Sequence, residues 1–125
     1  MPYVEYDPRY LQGIEHFNNR DFYAAHDAWE DMWLEMPKGE DKDFVQGMIL
    51  SAVSLLHYGN DNHGGARSRF RAALDYFEGI ESPFWDLDLE NFLRRMNGAL
   101  HRLLTEEKPP ELNMKVVPTI RLKSV

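Results

Sequence analysis

The sequence predicts an all-α domain of about five helices, and three observations carry that prediction. Apolar residues recur at spacings of three and four in several separate segments, the period of a helix with one face inward. Turn and capping residues separate those segments. No strand–turn–strand pattern occurs before the last stretch of the chain.

The first helix opens at Asp7-Pro8, a capping carboxylate followed by a proline whose missing N–H costs nothing there. It is expected to run from Pro8 to Asn19 with Tyr10, Leu11, Ile14 and Phe17 inward. Asp21 caps the second helix, whose stripe is Phe22, Ala25, His26, Trp29, Met32, Trp33 and Met36. Pro37-Lys38-Gly39 ends it. The third helix, from Lys42 to Gly59, is of a different kind. No residue from Phe44 to Asn60 is charged, and apolar residues go nearly all the way round, so it is expected to be buried on most sides. Gly47, Ser51, Ser54 and Tyr58 form a mostly small strip where another helix can approach, and Gln46, Leu50, Val53 and His57 form a separate one. A fourth helix from His63 to Gly79 buries Ala66, Phe70, Ala73, Phe77 and Ile80. After a loop at Ser82–Asp86, with Trp85 as a core plug beside Phe84, a fifth from Asp88 to Thr105 buries Leu89, Phe92, Leu93, Met96, Leu100, Leu103 and Leu104.

The organisation is thus one helical domain over residues 1–108 and an extended tail over 109–125, with Val116, Val117, Ile120 and Leu122 lying on the body. Ala25, Trp29 and Met32 are echoed at the same mutual spacing by Ala66, Phe70 and Ala73. With Gly13 and Pro37, the first set falls at spacings resembling a tetratricopeptide-type hairpin. Two stacked hairpins plus a fifth helix is the expected packing, and an up-and-down bundle is the alternative.

Composition narrows the function classes. The chain has 125 residues, enough for one core, and no cysteine, which removes disulfides, thiolate metal sites and thiol nucleophiles. The net charge of -7 argues against nucleic-acid binding, because that binding rests on phosphate neutralisation. Clusters at Arg67, Arg69 and Arg71, and at Arg94, Arg95 and Arg102, read as solvated faces. The opening residues carry no signal-peptide pattern and no stretch is long enough to span a bilayer, so a soluble cytoplasmic protein is expected.

The candidate site is the run from His26 to Trp33. His26 and Glu30 lie one turn apart, about 6 Å of rise, beside Tyr23, Trp29 and Trp33. The third helix adds Gln46 and His57 in a segment with few other hydrogen-bonding groups. Buried polar atoms find partners, so at least one direct contact between the two groups is expected. Three readings stay open. The cluster is a structural lock, worth about 1–3 kcal/mol. It is a binding pocket with indole walls. Or it is a catalytic or metal site, with His26, Glu30 and His57 as weak candidate ligands, although the paired Glu-x-x-His and the His-Glu-x-x-His patterns are absent. No nucleophile elbow and no phosphate loop occurs.

Phe17-Asn18, the run Phe22-Tyr23-x-Ala25-His26-x-x-Trp29-Glu30-x-x-Trp33, Gln46-Gly47-x-Ile49, and His57 followed by Asn60 and Gly65-Ala66 resemble the domain-of-unknown-function family 309. The resemblance covers Tyr10 to Leu74 and implies an all-α fold of about five helices, with no established activity. The favoured expectation is a non-enzymatic binding or interaction module using Tyr23, His26, Trp29, Glu30, Trp33, Gln46 and His57. The alternative is a small metal-assisted or acid/base hydrolase-type enzyme using His26 and Glu30. No cofactor is expected. The partner is a small molecule or a protein rather than a nucleic acid or a membrane, and self-association stays open.

Overall fold

Five helices and no strand make up the computed structural model, which describes residues 5–123: α1 (Pro8–Asn18), α2 (Phe22–Trp33), α3 (Glu40–Gly59), α4 (His63–Phe77) and α5 (Leu89–Thr105). Residues 1–4, part of the stretch read above for a leader, and 124–125 lie outside the described residues. Side-chain caps set four of the five starts. Asp7 accepts from the Arg9 N–H at 2.8 Å, Asp21 from Ala24 at 3.1 Å, Asn62 from Gly65 at 3.0 Å and Asp88 from Asn91 at 3.0 Å. α3 has no side-chain cap. Glu40, Asp41 and Asp43 in its first turn instead complement the positive end of the helix dipole, and it starts two residues earlier than the sequence suggests. α2 stops at Trp33 rather than Met36. Pro37 disfavours helical backbone at Met36, and residues 34–36 form a turn in which the Glu35 and Met36 N–H groups donate to Met32 and Trp33.

The core forms where the stripes meet. Tyr10, Ile14 and Phe17 of α1 face Phe22, Ala25, Trp29 and Met32 of α2, while Leu11 turns outward. Gly13 is the point of closest approach: the Trp29 indole lies across it and its Nε1–H donates to the Tyr10 carbonyl at 3.1 Å. α3 is buried on most sides as expected, with Gly47, Ser51, Ser54 and Tyr58 all inside. The Phe77 ring of α4 covers Gly47, and the Ser51 and Ser54 hydroxyls donate back to backbone carbonyls of their own helix. Helices adjacent in sequence pack along their lengths: α1 on α2, α2 on α3, α3 on α4. α1 and α4 make no such face, so the layer stays an open stack of two hairpins rather than a closed four-helix ring. α5 joins through Phe92, whose ring lies 5.9 Å from Phe17 and 6.4 Å from Phe77. Arg67, read from sequence as part of a solvated face, instead donates to the Leu103 and Glu106 carbonyls at 2.8 and 2.9 Å and ties α4 to the end of α5.

The last segment is held against the body at four points. Tyr58 Oη donates to the Pro110 carbonyl at 2.7 Å. The Arg20 guanidinium donates to the Val117 and Pro118 carbonyls. Asn18 pairs both ways with the Ile120 backbone, donating at 2.9 Å and accepting at 2.7 Å. The Lys123 N–H donates to the Asp86 carbonyl. Val117 and Ile120 are buried between these ties. Replacing Asn18 with alanine removes two of the hydrogen bonds and is expected to cost about 1–3 kcal/mol. The matching signature is faster proteolytic cleavage within 112–123, with little change in cleavage of α3.

Candidate functional site

The second helix separates the predicted site residues into two sets. Phe22, Ala25, Trp29 and Met32 define its buried arc. At 100° per residue, His26 and Trp33 lie roughly 60–80° from the centre of that arc and Glu30 about 120° from it. The structure follows this geometry. Trp29 is fully buried and belongs to the α1–α2 contact, so it walls no pocket. His26 and Trp33 are half-buried, and Glu30 and Tyr23 are exposed.

His26 is satisfied within its own helix. Its Nδ1 lies 3.0 Å from the Tyr23 carbonyl, its ring meets the Tyr23 ring edge-on at 5.3 Å, and its Nε2 is 3.6 Å from Glu30 Oε2. With Nδ1 donating to the carbonyl, neutral imidazole offers Nε2 to Glu30 only as an acceptor, so the pair is an ion pair when the ring is protonated. Side-chain exposures of 21% and 48% place it in high dielectric. The expected direct contact with α3 is corrected. Among the described residues no hydrogen bond or ion pair joins Gln46 or His57 to His26 or Glu30. Gln46, Leu50, Val53 and His57 are all half-buried, the strip at the rim of α3. His57 lies in the last turn of α3, and the Asn62 amide from the α3–α4 turn donates to its Nδ1 at 3.2 Å. Trp33 meets α3 one turn before Gln46, with Lys42 Nζ 4.3 Å above its ring.

These positions also correct the metal reading: His26, Glu30 and His57 do not converge. Among the described residues no group of three His, Asp or Glu side chains could hold an ion. Of the lock reading, the Glu30–His26 pair is present and the Gln46 contact is not. His26→Ala and Glu30→Ala are each expected to change stability by under about 1 kcal/mol, the range of helix-surface ion pairs, when measured by urea denaturation.

What α2 presents to solvent is a stripe. Tyr23, Asp27, Glu30 and Leu34 lie at spacings of four, three and four and are all exposed, Tyr23 by 61% and Leu34 by 65%. His26 and Trp33 form its inner edge. Asp27 and Leu34 were not among the sequence candidates, although the same helical spacing identifies them once the buried arc is known.

A second feature escaped the sequence reading. Trp85 and Asp86 are consecutive residues at positive φ, 47° and 58°. Trp85 is not a sealed plug. Half-buried, it packs on Tyr10, Phe44 and Phe84 and donates from Nε1 to Asp41 at 3.2 Å. Tyr6 Oη donates to Asp86 at 2.6 Å, and burial together with that carboxylate pushes the phenol up to about 12. The corner lines a shallow cavity of about 560 Å3 with Glu5, Asp7 and Pro83, and neither His26 nor Glu30 lines it.

Fold and site together define a small all-α protein of stacked helical hairpins whose second helix carries an exposed aromatic and acidic stripe. Residues 10–68 match the family described as Domain of unknown function (DUF309), the family that the His-x-x-Trp-Glu-x-x-Trp run resembles. The matched segment holds all but the first two residues of the first hairpin, all of α3 and the start of α4. The chain is also similar to the uncharacterized protein YpuF of Bacillus subtilis (strain 168), 26% identical over 87 residues, which are 69% of this chain and 50% of that protein. The chain thus spans about half the length of the curated relative it matches. Among the described residues no helix is long and apolar enough to cross a membrane.

Proposed function

We propose that this domain is a non-enzymatic interaction module that docks a basic protein segment along the outer stripe of α2. The observation that carries the reading is the exposure of Tyr23 beside two carboxylates, Asp27 and Glu30, with Leu34 at the far end. Tyr23 and Leu34 stand eleven residues apart, about 16 Å along the helix. A segment with cations between two apolar side chains matches that order: apolar, acid, acid, apolar. Tyrosine is a frequent anchor of interfaces because its large rigid ring loses little entropy on burial. The net charge of -7 draws a basic partner towards the chain and accelerates encounter.

The test titrates the full chain with a synthetic peptide carrying Lys and Arg between two apolar residues, and with its Glu-substituted counterpart. Saturable amide-shift changes confined to α2 and the Trp33–Lys42 corner are expected from the basic peptide only. Tyr23→Ala is expected to weaken binding about tenfold, the size of a modest hot spot. Asp27→Asn with Glu30→Gln is expected to slow association and flatten its salt dependence. Shifts scattered over α5 and the tail, or unchanged affinity in both variants, would overturn the reading.

A further inference from the structure

The tail, the first turns of α5 and the α1–α2 turn line an open cavity of about 460 Å3. Its charged lining is Arg20, Arg95, Lys115, Arg121 and Lys123 against the single carboxylate of Asp88. That is a concentration of positive charge in a chain with 21 acidic and 14 basic residues. The carboxylate is already committed, since Asp88 Oδ1 accepts from the Asn91 N–H at the start of α5. Arg20 is committed as well. Half-buried, it donates to the Val117 and Pro118 carbonyls, and burial lowers its pKa. Arg95, Lys115, Arg121 and Lys123 differ. Among the described residues none of the four forms an ion pair or donates a side-chain hydrogen bond to the protein. Phe92 and Ile120 supply an apolar floor.

We propose that this cavity binds a small polyanion, a compound with at least two phosphate or carboxylate groups on a compact carbon skeleton. Four uncommitted, exposed cations line one concavity, and each charge-assisted hydrogen bond they make to an anion is of the strong kind. The volume lies within the range of small-molecule sites. The apolar floor suits the carbon skeleton. The cavity wall is preorganised because Asn18 pairs with Ile120 and Arg20 holds the two residues before Thr119, so the ligand does not bear the cost of ordering the tail. None of these residues belongs to the α2 stripe, so this site and the docking surface stand or fall separately.

The experiment is calorimetric titration of the full chain in low-salt buffer with pyrophosphate and, in parallel, citrate. Saturable one-site binding of at least one probe is expected, and the tighter of the two identifies the phosphate or the carboxylate source. The double variant Arg95→Gln/Arg121→Gln, whose side chains are exposed and structurally uncommitted, should keep its circular dichroism spectrum and lose at least tenfold in affinity. Arg69→Gln/Arg71→Gln removes the same charge from α4 and should leave affinity unchanged. Asn18→Ala, which frees the wall without removing charge, should weaken binding less than the double arginine variant. Absence of saturable binding by both probes, or equal losses from the α4 pair and the cavity pair, would overturn the proposal.

Discussion

Replacing Trp29 with alanine is expected to lower the stability of the fold by about 3–5 kcal/mol. The indole is completely buried and is the largest side chain in the core. It bridges α1 and α2, with Phe17 6.1 Å away on one side and the Gly13 backbone on another. Truncation removes its transfer free energy and leaves a void that two rigid helices cannot close. The lost hydrogen bond to the Tyr10 carbonyl adds little, because Tyr10 sits in α1, where backbone N–H groups still serve its carbonyl. A single-domain protein holds about 5–15 kcal/mol in total. The variant should therefore show a large drop in urea midpoint with an unchanged slope. Trp29→Phe should recover more than half of the loss. A cost under about 1 kcal/mol for the alanine variant would mean that the hairpin is not organised around this ring.

The second large effect is expected where a methyl group is added. Alanine at an exposed helix position exceeds glycine by about 1 kcal/mol in propensity. At Gly13 that gain is overwhelmed. A Cβ built there falls 2.0 Å from Trp29 Nε1 and 2.4 Å from two more indole atoms, and the indole has nowhere to retreat. Gly13→Ala should destabilise by about 1–3 kcal/mol, the usual cost of overpacking. Gly47→Ala should behave alike, because its Cβ would sit 2.5 Å from the Phe77 ring. Gly98 is the internal contrast: it lies on α5 with nothing within 4 Å, so Gly98→Ala should be stabilising by up to about 1 kcal/mol. In a Trp29→Leu background the penalty at Gly13 should shrink, and the double-mutant cycle measures that coupling. Opposite signs at positions 13 and 98 in thermal melts are the outcome to look for.

Much of this architecture is legible in the chain because its signals are local. Asp7, Asp21, Asn62 and Asp88 precede their helices and cap them. The uncharged run from Phe44 predicts a central helix, and α3 is that helix. The candidate site departs from expectation at the edge of a stripe. Helical spacing gives the direction of a face but not the width of its buried arc, and His26 lies just past the border at which Trp29 is sealed. The expected meeting with Gln46 failed for the same reason: both residues are half-buried rim positions, and His26 finds its partners within its own helix. Arg67 and Arg20 were invisible as structural donors because their acceptors are backbone carbonyls 36 to 98 residues away. Nothing in an arginine's neighbours announces such a partner. The cationic cavity was missed because three of its five cations come from the last nine described residues and only the folded path of the tail brings them beside Arg20 and Arg95.

The pairing of Asn18 with Ile120 spans 102 positions. Helical hairpins zip from neighbouring residues, whereas this latch must close a very long loop, a step that loses chain entropy before any contact repays it. The Asn18–Ile120 latch should therefore be among the last contacts to form. The helical stack forms first, and the seam between the α1–α2 turn and residues 117–120 forms afterwards.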